Sequence, residues 1–180
     1  MLMSREDCRK RYGSDYRTEQ QIKAGRLFQI EKGVYSDQER VPEQAVIAFK
    51  YPKAILTMTS AFYHYGLTDV IPDKFDLATD RDAAKIRDPR IHQVFMPHDF
   101  CEDGAEQADV QGYPIRVYDR ERMLIELLRN KAFLPFDLYK EILLNYRRIM
   151  PQLDMQKIQD YALASPKSNR VMNALQMEVM

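Results

Sequence analysis

The segment Arg17–Ser36 constrains the fold of this chain more than any other stretch. Its N-terminal part is almost wholly polar, with Ile22 as the one strong apolar anchor, and Gly25 follows as a stop. This pattern predicts a short helix over Arg17–Ala24. Because such a polar helix buries little apolar surface, it needs a binding partner or a solvent-exposed role.

A β-hairpin is predicted directly after this helix. Leu27–Ile30 and Val34–Ser36 alternate between apolar and polar residues. The three residues between them, 31–33, fit a hairpin loop in which Gly33 adopts a positive φ. A helix followed by a hairpin near the N-terminus is the arrangement of a winged helix-turn-helix, a module whose recognition helix enters the DNA major groove.

Length and composition indicate a globular protein. The chain has 180 residues, of which 45% are hydrophobic and 30% charged, enough for one domain of usual size or for a small module joined to a core domain. No stretch approaches the ~18 consecutive apolar residues of a membrane span, and residues 1–10 lack the apolar core of an export signal. Cys8 and Cys101 are isolated in the sequence, which is typical of a reduced compartment, so we expect a cytoplasmic protein.

The formal net charge is zero, but the charges are unevenly distributed. Residues 1–35 hold 8 basic and 5 acidic residues, a net charge of +3, and the remainder therefore carries −3. A weakly basic head on a weakly acidic body favours a DNA-binding module joined to a body that binds protein.

We place the boundary between these modules near Tyr51-Pro52, where Pro disfavours continuation of the helix predicted over Pro42–Tyr51. The predicted domains are therefore a winged-helix DNA-binding domain over residues 1–52 and an α+β partner-binding domain over residues 53–180. No Gly- or Ser-rich linker separates them.

The body begins with a predicted helix over Thr57–Gly66 and continues with strands, because Asp73–Thr79, Ile91–Met96 and Ile115–Tyr118 are rich in β-branched and aromatic residues. The segments between these strands, 80–90 and 97–112, are charged and predicted as loops. From Asp119 onward the spacing is helical. The fold class predicted is α+β, with a small mixed, mostly antiparallel sheet covered by a C-terminal run of helices.

The helix predicted over residues 135–150 carries an apolar, tyrosine-rich stripe from Phe136 to Ile149. Its spacing of three and four residues predicts a core-facing side. One exposed side of this stripe would instead be a surface for a partner.

Short motifs along the chain resemble the AbiEi-type antitoxin family of abortive-infection toxin–antitoxin systems. The matching residues lie in both parts of the chain and keep the family's order: Tyr12-Gly13, Ile22–Leu27, Ile30–Tyr35, Thr59-Ser60-Ala61, Tyr65–Asp69 and the sequence YDRER at Tyr118–Arg122. The resemblance implies a winged-helix head that represses its own operon and a body that counters a nucleotidyltransferase-like toxin, by direct or indirect contact. One clear helix precedes Arg17, so either the module's first helix is missing or residues 42–51 complete its three-helix core.

The predicted DNA contacts lie on the polar helix and the hairpin. Arg pairs with guanine and Gln with adenine in the major groove, whereas Lys mostly contacts phosphate. The residues assigned to DNA are Arg17, Thr18, Gln20, Gln21, Lys23, Arg26 and Lys32. Because a head with few basic contacts binds weakly, we expect a homodimer or paired operator sites. The alternative is a module that binds protein and has lost its DNA contacts.

A third hypothesis is a divalent-metal nuclease, since Pro72-Asp73 is followed by Asp82 and Lys85. The spacing is one residue too long for the acidic-x-Lys pattern of such enzymes. His92, His98, Asp99 and Cys101 lie close together in sequence without the spacing of a zinc site. We therefore predict no catalytic residue, no metal and no cofactor.

Overall fold

The structure, a computed structural model, describes residues 1–179. They form two compact units. The first unit holds residues 1–52 together with residues 108–115. The second unit holds residues 53–107 and the chain from residue 116 onward. Helices, an antiparallel sheet and a mixed sheet make this an α+β protein, as the sequence predicts.

The first unit combines a three-stranded antiparallel sheet with short helices. In chain order its elements are β1 (Leu2–Ser4), α1 (Arg5–Tyr12), α2 (Asp15–Lys23), β2 (Phe28–Glu31), β3 (Val34–Ser36) and α3 (Glu43–Lys50). The strand order is β1-β3-β2. The predicted helix, hairpin and positive φ at Gly33 are confirmed. Strand β1 was not predicted, because three residues are too few to show a period.

A small core holds this unit together. It is centred on Met3, Cys8 and Leu27, against which Tyr12, Ile22 and Tyr35 pack. Helix α1 begins at a capping box, in which the Ser4 hydroxyl accepts the Asp7 N–H and the Asp7 carboxylate accepts the Ser4 N–H. Such a box satisfies two backbone donors that a helix start leaves unpaired.

The second unit contains a five-stranded sheet and a C-terminal run of helices. Its elements are β4 (Ile55–Leu56), α4 (Met58–His64), β5 (Phe75–Asp80), β6 (Ile91–Met96), α5 (His98–Cys101), β7 (Ala105–Val110), β8 (Tyr113–Tyr118), α6 (Arg120–Arg129), α7 (Phe136–Ile149), α8 (Met155–Ala164) and α9 (Ser168–Ala174). Residues 108–115, which are the second half of β7, the turn and the first half of β8, belong to the first unit.

The prediction of a mostly antiparallel sheet is wrong. The strand order is β6-β5-β4-β8-β7, and β4 pairs with β5 antiparallel but with β8 parallel. Strands β5 and β6 are also parallel, although only residues 81–90 connect them. This crossover has no helix. The Gln93 side chain fixes it instead, donating to the Ala84 carbonyl at 3.2 Å and accepting the Ile86 N–H at 2.8 Å.

The segment 97–112, predicted as a loop, contains α5 and β7. Strand β7 lies at the sheet edge and exposes Glu106 and Gln107, so its sequence lacks the apolar alternation of a half-buried strand. Its turn into β8 is formed by Gln111 and Gly112, both with positive φ, as in type I′ hairpin turns.

Helix α6 and most of the apolar stripe predicted for residues 135–150 are buried. Helix α6 is buried from Arg122 to Leu128, and α7 buries Tyr139, Ile142 and Tyr146, so the core-facing stripe is confirmed there. Phe136 is the exception, because 71% of its surface is exposed at the first turn of α7.

Candidate nucleic-acid interface

Helices α1 and α2 are joined by the two-residue turn Gly13-Ser14. Gly13 ends α1 with a φ of 91°, a left-handed conformation that glycine adopts most readily. Ser14 then caps α2, its hydroxyl accepting the Arg17 N–H at 3.2 Å. The sequence therefore dictates an abrupt change of direction between the two helices, and α2 begins two residues earlier than predicted.

The C-terminus of α2 is closed by Gly25 and Arg26. The Gly25 N–H donates to the Ile22 carbonyl and the Arg26 N–H to the Gln21 carbonyl, both at 3.0 Å. This is the Schellman pattern, which satisfies carbonyls that the helix itself leaves unpaired. It also projects Arg26 just beyond the helix end.

The inner side of α2 contains Thr18 and Ile22. Ile22 packs against the small core of the unit. Thr18 is 6% exposed, and its hydroxyl donates to the Ser14 carbonyl at 2.9 Å. The prediction that Thr18 contacts DNA is therefore corrected, because four residues separate it from Ile22 and the helical repeat puts both on the buried side.

The outer side of α2 is polar and exposed. Arg17, Gln20 and Lys23 are exposed, and Gln21 is half-buried at the margin. Within residues 1–179, the side chains of Arg17, Gln20 and Gln21 make no hydrogen bond or ion pair. Lys23 pairs with Glu19 at 3.1 Å across one helical turn, a surface contact that a phosphate readily replaces.

Tyr16 also lies on this outer side and is 70% exposed. Sequence reasoning missed it, since the helix was predicted to begin at Arg17. Spacings of four and seven residues align Tyr16 with Gln20 and Lys23 along one stripe of the helix. A bulky aromatic residue early in an otherwise polar helix was the available signal.

Arg26 and Lys32 are exposed at the helix end and in the β2–β3 turn, respectively. Neither side chain has an ion-pair partner among residues 1–179. Both therefore remain available for contacts with an anionic ligand.

Two arginines of α1 are not available in this way. Arg5 and Arg9 both donate hydrogen bonds to the carboxylate of Asp15, the first residue of α2. The Arg5 Nε lies 3.1 Å and the Arg9 Nε 2.8 Å from Asp15 Oδ1. Hydrogen bonds from these guanidinium groups hold the pKa of Asp15 far below its usual value. Lys10 is likewise paired with Glu6 at 2.8 Å. The net positive charge of the head therefore overstates the cations free to bind a ligand.

The nuclease candidates of the body do not converge. Asp73 and Asp82 are exposed in loops, and the Asp82 N–H donates to the Asp80 carboxylate at 2.9 Å. Within residues 1–179, no group of three or more His, Cys, Asp or Glu residues is placed to hold a metal ion.

Strand β5 carries the carboxylates of two carboxylate–histidine pairs. Asp76 Oδ1 lies 2.8 Å from His92 Nδ1, and Asp80 Oδ2 lies 2.7 Å from His98 Nδ1. Burial raises the pKa of Asp76, whereas the hydrogen bond to Asp80 raises the pKa of His98. Each pair consists of two ligand groups, too few for a structural metal site.

The YDRER motif is built into the structure of the second unit. Asp119 caps α6 by accepting the Arg122 N–H at 2.7 Å and also accepts the Tyr161 hydroxyl at 2.9 Å. Arg122 is fully buried between the rings of Phe100 and Tyr118. The motif therefore joins α6 to α8 and to the loop before β7.

Among residues 1–179, no helix combines the length and the apolar character that crossing a membrane requires. Neither a model of a known protein family nor a curated protein matches this chain.

Proposed function

We propose that the first unit is a winged helix-turn-helix that binds double-stranded DNA, with α2 as its recognition helix. The observation that carries this proposal is the outer side of α2, where Tyr16, Arg17, Gln20 and Lys23 are exposed. Two of these side chains, Arg17 and Gln20, are the types that read guanine and adenine edges, and neither is engaged within the described chain.

The order of elements supports the same proposal. A strand, two helices joined by a short turn, and a hairpin follow one another, and the first strand adds to the hairpin in the order β1-β3-β2. The turn of this hairpin, with Lys32, is the proposed wing. Helix α3 buries Ala45, Val46 and Ile47 and pairs with the hairpin through Lys50 and Glu31 at 2.6 Å. This favours α3 as the helix that completes the module.

Side-chain chemistry indicates which residues contact phosphates and which contact bases. Arg26, Lys32 and Lys23 contact phosphates and give affinity without sequence preference. Arg17, Gln20 and Gln21 contact base edges, and Tyr16 lies beside them. About three phosphate contacts per head predict a logarithmic salt slope near −2.7, which doubles in a dimer bound to paired sites.

We further propose that the protein is a transcriptional regulator and antitoxin that represses its own operon and counters a nucleotidyltransferase-like toxin. The resemblance to AbiEi-type antitoxins supports this role. The YDRER motif of this chain does not indicate where a toxin would bind, because Asp119 and Arg122 make contacts within the second unit.

A mobility-shift experiment tests the DNA-binding proposal. The full chain is titrated onto the DNA upstream of its own gene, with unrelated duplex DNA as competitor, at several salt concentrations. We expect a shift that resists the competitor and weakens steeply with salt. No specific shift at low salt would overturn the proposal and leave a protein-interaction module as the remaining alternative.

A further inference from the structure

A cavity of about 290 Å³ lies in the second unit, where the C-terminal end of α6 faces the connection between α8 and α9. Its walls combine apolar and basic side chains. The lining residues are Leu128, Arg129, Asn130, Ala132, Phe133, Pro166, Lys167, Arg170 and Val171. The proposed DNA interface uses none of them, so the cavity is a separate feature of the chain. We call it the basic cavity.

The charges of the basic cavity are all of one sign. Three of its lining residues are Arg or Lys, and none is acidic. Arg129 is held in place by Glu126, with Nη1 2.7 Å from Oε1. Lys167 and Arg170 are exposed at the mouth and have no ion-pair partner within residues 1–179. An incoming carboxylate would therefore meet two cations whose charges are not yet compensated.

Lys167 has an unusual backbone conformation. Lys167 has a φ of 59° and a ψ of 43°, the left-handed region that residues other than glycine rarely occupy. This conformation immediately precedes α9, which carries Arg170 one turn later. The two cations at the mouth are thus placed by the same short turn after Pro166.

Exposed aromatic residues extend the apolar surface beyond the cavity itself. Phe133, which lines the cavity, is 85% exposed, and Phe136, three residues later, is 71% exposed. Three residues span at most about 11 Å, so the backbone positions of the two phenylalanines are close to each other. Aromatic and arginine side chains are enriched at the centres of protein–protein interfaces.

We propose that the basic cavity binds an acidic segment of a partner protein. In this interaction an apolar side chain of the partner enters the cavity against Leu128, Phe133 and Val171. Asp or Glu residues on either side of it pair with Lys167 and Arg170. The charge complementarity selects an acidic segment, and the exposed Phe133 and Phe136 select a peptide over a small free anion, because a small anion leaves these rings in water.

Nuclear magnetic resonance of the full-length, ¹⁵N-labelled protein tests this proposal directly. The probes are the acetylated, amidated hexapeptide DELFDE, its basic counterpart KKLFKK, and phenylacetate as a free small anion. We expect saturable shifts from DELFDE in the amides of residues 128–133 and 166–171, and none from KKLFKK. Absence of saturation at about 5 mM peptide, a level that detects even millimolar affinity, would overturn the proposal.

Charge reversal supplies the second readout. The double variant K167E/R170E should weaken binding of DELFDE by roughly tenfold or more, since like charges then face each other. The control K53E/K140E changes the net charge equally at two exposed lysines outside the cavity and should leave the affinity within about twofold. Equal losses in both variants, shifts confined to other residues, or phenylacetate binding as tightly as DELFDE would each contradict a peptide site.

Discussion

The close packing of Gly104 against Arg122 in the second unit predicts a large difference between two glycine substitutions. A Cβ atom added at Gly104 would lie 2.6 Å from the Arg122 Cβ and 3.1 Å from its Cγ. Gly104 also has a φ of 77°, which other residues adopt at a cost. Gly66, in the same unit, has a φ of 65° but no atom within 4 Å of the added Cβ. Gly66→Ala is therefore a matched control for the backbone effect.

The magnitudes follow from these distances. Left-handed backbone costs an alanine about 1 kcal/mol or slightly more, and this is the whole expected effect of Gly66→Ala. Gly104→Ala adds overpacking of about 1 to 3 kcal/mol. The Arg122 side chain is not free to move away, because its Nη1 donates to the Phe100 carbonyl at 2.8 Å and its guanidinium group is buried over the Phe100 ring. We expect a total loss of about 2 to 4 kcal/mol for Gly104→Ala.

Urea unfolding followed by circular dichroism measures both values, because the chain has no Trp to report by fluorescence. Gly104→Ala should lower the free energy of unfolding of the second unit by at least about 1 kcal/mol more than Gly66→Ala. Equal losses in the two variants would refute the close packing of this loop on α6.

Two further predictions concern ionised groups. Glu126→Gln leaves the buried Arg122 without its carboxylate at 3.0 Å and should lower the free energy of unfolding by about 3 to 5 kcal/mol. Glu102→Gln removes one partner of a largely exposed ion pair and should lower it by less than about 1 kcal/mol. Equal losses for the two variants in urea unfolding would contradict the burial of the Arg122–Glu126 pair. Asp15 has a depressed pKa, so the stability it contributes is present above its ordinary value of 3.8 and is lost as the pH falls through the lower folded value. Asp15→Asn should flatten the decline in urea midpoint below pH 4, and an unchanged pH profile would show that the two arginines of α1 do not hold this carboxylate.

Local sequence signals predicted the first unit well because its elements carry their own stop signals. Gly25 and Gly33 each adopt a positive φ, the first after a helix and the second in a turn, where the sequence indicated a break. In the second unit, Asp119 caps α6 at the residue from which the sequence predicted helical structure. Caps and turns depend on a few neighbouring residues, so they can be predicted without tertiary information.

Features that depend on distant residues were not predictable in the same way. The parallel pairing of β4 with β8 joins Leu56 to Val117, and no local pattern specifies such a partner. Thr18 was assigned to DNA because it lies in a polar helix, but the contacts of the neighbouring turn fix which side faces inward. The pairing of Arg5 and Arg9 with Asp15 could likewise not be predicted from the net charge, because a sum of charges carries no information on which side chains are close together.

The most direct test of the central claim compares three full-length proteins on one DNA duplex from the region upstream of the gene. Fluorescence anisotropy gives the dissociation constants of the unmodified protein, of Arg17→Ala/Gln20→Ala on the outer side of α2, and of the exposed control Lys140→Ala in the second unit. We expect the double variant to lose specific affinity by roughly tenfold to a hundredfold, and to approach the affinity for unrelated DNA, while Lys140→Ala binds as the unmodified protein does. Equal affinity of all three proteins for the upstream duplex would contradict recognition by α2.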